Sequence, residues 1–92
     1  MKMNENDKAL YQAIDEILWR DWDPIGVNDN EDARNEYQSY TPHIFSLRKQ
    51  GADIEIIAQY LYQSETISMG ITGNKELALN HCKAVAQKIL NL

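Results

Sequence analysis

The chain has 92 residues, 43% of them hydrophobic and 25% charged, with a formal net charge of −5. That balance specifies a folded domain rather than a disordered chain, and the length allows one modest core in a single helical domain over residues 1–92. A membrane span is excluded because no apolar run approaches roughly 18 residues, and the negative charge opposes nucleic-acid phosphates, with no basic patch to offset it.

The start, Met1 to Asp7, is polar and lacks the apolar stretch of a signal peptide, which predicts a cytoplasmic protein. The spacing then predicts a helix from Asn6 to Asp21. Leu10, Ile14, Leu18 and Trp22 recur every four residues, with Ala13 and Ile17 filling the same face. Asn6 or Asp7 caps it, and Pro24 and Gly26 end it. Residues 23–32 are rich in Asp, Asn, Pro and Gly and read as a loop. A short helix fits Glu31 to Ser39. The next opens at Thr41-Pro42, with Thr41 as cap, carries Ile44, Phe45 and Leu47, and stops at Gly51. Asp53 caps a helix with the stripe Ile54, Ile57, Ala58 and Leu61, which fades near Met69-Gly70. After a turn over residues 70–74, a last helix runs from Asn74 to Leu90, burying Ala78, Cys82, Val85, Ala86 and Ile89. No segment alternates with period two, so the expectation is an all-α fold: a compact bundle of four main helices plus one short helix.

The charge is not spread evenly. Residues 21–36 hold Asp21, Asp23, Asp29, Glu31, Asp32 and Glu36 against Arg34 alone, so this segment carries the whole imbalance. Such a field attracts basic partners. Trp19 and Trp22 lie three apart on one helical face beside it, and each buried indole needs an acceptor, which Asp21, Asp23 or a helix-end carbonyl would supply. Trp22 reads as a core anchor. Trp19 beside the acids and Tyr40 suits the centre of an interface. The expected partner-binding residues are therefore Trp19, Asp21, Asp23, Asp29, Glu31, Asp32, Glu36 and Tyr40. Tyr60-Leu61-Tyr62 adds a phenol on an outer face.

Catalysis and cofactors find little support. Read from Asp21, a calcium loop would place Asp23 and Gly26 well. Its fifth position is Ile25, which has no oxygen, Pro24 stiffens it, and Asp32 stands where a bidentate Glu belongs. His81 and Cys82 are adjacent and point about 100° apart, unsuited to one metal or to a nucleophile pair. The single cysteine, Cys82, reads as a buried, inert thiol. No catalytic, cofactor-binding or metal residues are expected.

Trp22-Asp23-Pro24-Ile25-Gly26-Val27, followed by Glu36-Tyr37-Gln38-Ser39-Tyr40-Thr41-Pro42, resembles a pattern in a group of small uncharacterised bacterial helical proteins. The pattern is a WDPIG loop, an EYxxYxP segment, a Gly-Ala turn (Gly51-Ala52), an IAxYL helix (Ile57 to Leu61) and a closing Met-Gly (Met69-Gly70). The resemblance covers roughly residues 10–72. It implies a compact helical fold, and some small acidic bacterial proteins of this kind are immunity proteins of toxin–immunity systems, including contact-dependent growth inhibition. It carries no site residues. A structural role would produce the same pattern, with Pro24 and Gly26 shaping a turn that seats Trp22 and with Glu36, Tyr37 and Tyr40 closing over it. The functional expectation is a non-catalytic protein-binding module, an immunity protein that neutralises a basic toxin domain through its acidic surface. The alternative is a helical adaptor or scaffold with another cytosolic partner.

Overall fold

A computed structural model describes residues 3–92; Met1 and Lys2, part of the polar start, lie outside the described residues. Four α-helices follow one another: α1 (Glu5–Ile17), α2 (Thr41–Lys49), α3 (Ile54–Gln63) and α4 (Lys75–Leu90), with no strand among the described residues. The radius of gyration, 12.8 Å, is close to the ~12 Å expected of a folded chain this long. Helices α3 and α4 pack on each other as a hairpin. Helix α1 packs on both α2 and α4, and α2 closes onto α3. Among the described residues no helix is long and apolar enough to cross a membrane.

The elements form where local chemistry favours them. Asn4, Asp53 and Asn74 each accept a backbone N–H with their side chains at the starts of α1, α3 and α4. The chain leaves α2 through Gly51 at φ 81°, a left-handed conformation that favours glycine. The apolar stripes meet in one core. Ile14, Leu18 and Trp22 face Ile44 and Phe45 of α2, Ile57, Ala58 and Leu61 of α3, and Cys82, Val85, Ala86 and Ile89 of α4.

Three expectations need correction. The α1 cap is Asn4 rather than Asn6 or Asp7, so the helix starts earlier. The short helix over Glu31 to Ser39 is two separate 3-10 turns, Glu31–Ala33 and Gln38–Tyr40. Thr41 does not cap α2. It is fully buried, and its hydroxyl lies 3.4 Å from Asp15 Oδ1.

Two helices end in a widened π turn that the apolar pattern does not reveal. After α1, Leu18–Trp22 closes with Asp23 N–H donating to Leu18 O. After α3, Ser64–Ser68 closes with Met69 N–H donating to Ser64 O. In the second, Ser64 and Thr66 each donate a hydroxyl to the carbonyl four residues back, at 2.8 Å. Such back-bonding competes with the helical ladder and opens it locally.

Candidate functional site: an acidic ledge and the cluster that seats it

Between the first π turn and α2 the chain makes a run of single turns. Backbone N–H groups of Gly26, Asn30, Ala33, Arg34, Glu36, Gln38 and Tyr40 each donate to the carbonyl three residues back. Asn30 adds a side-chain cap on Asp32 N–H. The acidic segment is thus a fixed ledge, its backbone donors largely satisfied along its length.

Two side chains pin it. Asp23 adopts a left-handed φ of 33°, and its carboxylate turns back into the segment. Asp23 Oδ1 accepts the Tyr37 hydroxyl at 2.6 Å and Val27 N–H at 2.9 Å, while Oδ2 lies 3.4 Å from Asn28 N. The Tyr37 oxygen accepts Ile25 N–H. Burial first, and then the bond to Asp23, push the Tyr37 phenol far above its ordinary pKa of 10.0. The second pin is Arg34. It reaches inward to Asp15 Oδ2 at 2.9 Å and Glu16 Oε2 at 3.0 Å, and its guanidinium lies over the Trp19 ring. Partial burial pulls the Arg34 pKa down, but bonds and charges from Asp15 and Glu16 outweigh it and hold the group cationic.

These pins redistribute the expected binding residues. Asp29, Glu31, Asp32 and Glu36 are exposed, and none pairs with a cation among the described residues. The segment's only base, Arg34, is spent on α1. Asp21 is half-buried and bridged to Lys88 of α4 at 3.1 Å. Asp23 is consumed by the internal bonds above, which leaves its oxygens poorly placed for calcium. Among the described residues no three His, Cys, Asp or Glu side chains gather as a metal site. Trp19 is a correction: it is 5% exposed, packed on Tyr37 beneath Arg34, and is no surface anchor. Tyr40 is half-buried, its ring edge-on to Trp22.

Trp22 seats the ledge on the bundle. Tyr37 and Tyr40 close over it, at ring-centroid distances of 5.4 and 5.6 Å, whereas Glu36 stays outside. Its indole N–H donates neither to Asp21 nor to Asp23 but to Glu65 Oε2, at 3.0 Å, from a residue 43 positions away on the second π turn. Glu65 Oε1 accepts the Cys82 thiol at 3.7 Å. His81 Nε2 donates to the Trp22 carbonyl at 3.1 Å, which places its proton on Nε2 because the carbonyl only accepts. Glu65 is 6% exposed. Burial raises its pKa above the ordinary 4.5, against the bonds from Trp22 and Cys82 and the nearby His81. Burial beside this carboxyl pushes the Cys82 thiol up to about 12, so Cys82 is inert as well as buried.

Glu65 escaped the sequence reading although a signal was present. Ile57, Leu61 and Glu65 recur every four residues, which puts a carboxylate on the buried stripe of α3. Its neighbourhood opens onto a cleft at the α3–α4 connection. Tyr60 stacks on the exposed His43 at 4.3 Å, Tyr62 lines the cleft, and both are half-buried.

No family model, no curated protein and no solved structure matches this chain.

Proposed function

We propose that this protein is a non-catalytic binding module that captures a basic protein surface through Asp29, Glu31, Asp32 and Glu36. What carries the reading is the inward turn of Arg34. It removes the only base from the segment and leaves four carboxylates exposed on a backbone already held by successive turns. Like charges kept close together oppose folding, and a basic partner relieves that repulsion. A pre-ordered ledge loses little conformational freedom on binding, and its field steers encounter. An immunity protein that occludes a basic toxin domain, which commonly needs Lys or Arg to hold substrate phosphates, fits both properties and the family resemblance.

The test uses paired baits in the source cell: the parent, and the triple charge reversal Asp29→Lys, Glu31→Lys, Asp32→Lys. The reading expects one basic protein retained by the parent and lost by the variant. Association of the purified pair should slow as salt rises, since screening acts over about 8 Å at physiological ionic strength. Toxicity of that protein, relieved by co-expressing the parent only, would make the partner a toxin. Equal capture by both baits overturns the ledge as the interface.

A further inference from the structure

The cleft at the α3–α4 connection has a volume of about 400 Å³, and its wall includes Tyr62, Glu65, Thr66, Ile71, Lys75 and Ala78. That size falls in the range of roughly 300–1,000 Å³ that holds small ligands. Glu65 is more than nine-tenths buried, yet no Lys, Arg or His lies within ion-pair distance of it among the described residues. A carboxylate removed from water is unfavourable unless a close partner of opposite charge compensates it, and His81, which acts on Glu65 only from beyond ion-pair distance, does so weakly. Its two donors, the Trp22 indole and the weak Cys82 thiol, leave it further acceptor capacity, because a carboxylate offers about four acceptor sites.

The opposite charge sits on the same cleft. Lys75, the first residue of α4, is exposed and forms no ion pair with the described residues. It stands where the helix dipole also favours an anion. Tyr62, Ile71 and Ala78 add apolar surface to the same wall. We propose that this cleft binds a small amino carboxylate, a free amino acid with an apolar side chain, with its ammonium on Glu65 and its carboxylate beside Lys75. The ammonium supplies the ion-pair partner that Glu65 lacks at close range, Lys75 gains a partner too, and the side chain covers the apolar wall. This site is separate from the acidic ledge and does not depend on it.

The Trp22 indole N–H is a built-in reporter, since it bonds the proposed ligand's anchor. The experiment titrates ¹⁵N-labelled full-length protein with L-leucine, with isoamylamine, which lacks the carboxylate, and with 4-methylpentanoate, which lacks the ammonium. L-leucine is expected to shift the Trp22 indole signal and the amides of residues 72–75 with saturation. Isoamylamine should bind more weakly and 4-methylpentanoate should not saturate. Glu65→Gln keeps an acceptor for the indole, its fold is checked by an unchanged far-ultraviolet circular-dichroism spectrum, and it should weaken L-leucine, read at the amides of residues 72–75, by about tenfold or more. Lys75→Ala should reduce L-leucine to the level of isoamylamine. No saturable shift with L-leucine in the parent overturns the site. Equal binding to the Gln variant, equal binding of 4-methylpentanoate, or indifference to Lys75→Ala each overturns the assigned contacts and with them the proposal.

Discussion

Replacing Glu65 with glutamine asks whether the carboxyl between the two π turns stabilises the fold or is a buried charge held at a cost. Glutamine has nearly the same shape and keeps one oxygen for the Trp22 indole N–H, at 3.0 Å in the parent. It removes only the charge. In the parent, burial raises the Glu65 pKa above its ordinary value of 4.5, and the bonds from Trp22 and Cys82 and the proximity of His81 only partly offset it. The folded chain therefore holds a proton on Glu65 to higher pH than the unfolded chain does. The stability from that proton is fully present below the unfolded pKa and is lost as pH rises through the folded pKa. The stability of Glu65→Gln relative to the parent should thus increase as pH rises from about 4.5, then level off once Glu65 is charged in both states. Urea unfolding followed by far-ultraviolet circular dichroism, from about pH 4 to about pH 8, measures the difference, in which groups common to both chains cancel. A difference that stays flat or falls over that range refutes the argument. Trp22→Phe closes the cycle. It deprives the carboxylate of a bond worth about 1.5–3 kcal/mol and leaves a smaller ring, so it should cost more in the parent than in the Gln background.

Trp19→Ala should destabilise the fold by about 3–5 kcal/mol, read as a drop in urea midpoint, because the indole is buried beneath Arg34; a loss below about 0.5 kcal/mol would mean it is exposed after all. Tyr37→Phe removes the hydroxyl that bridges Asp23 and Ile25, and is expected to lower stability by about 1–3 kcal/mol and to speed amide exchange over residues 25–28. Unchanged exchange there would show that the ledge is held without the bridge. Cys82 should resist a disulfide reagent in native buffer and react once urea unfolds the chain; prompt native reaction would contradict its burial and its raised pKa.

The helices were legible wherever a few neighbouring residues decide the outcome. Asp53 and Asn74 cap because a short oxygen-bearing side chain beside a helix start satisfies a free N–H whatever lies elsewhere. Gly51 marks an exit because left-handed backbone favours a residue without Cβ. The stripes through Leu18, Leu61 and Val85 mark the core because a 3.6-residue repeat puts them on one face. The charge of the 21–36 segment is likewise a property of composition.

The direction in which that charge points belongs to the tertiary structure. Arg34 and Asp23 have equal claim to the surface on composition; α1 draws Arg34 inward through Asp15 and Glu16, and Tyr37 draws in Asp23. The short helix expected over Glu31 to Ser39 gives way to separate turns, with Arg34 and Tyr37 both held inward. Trp19 and Trp22 look alike as residues, yet one lies under a guanidinium and the other ends on a carboxylate 43 positions away. The sequence alone settles hydrophobic periodicity, caps and net charge, because these act over one or two turns of chain. Which acids stay free, which are buried, and where a helix widens into a π turn are decided by contacts between distant segments, because the energy of a buried polar group depends on the partner that packing brings to it.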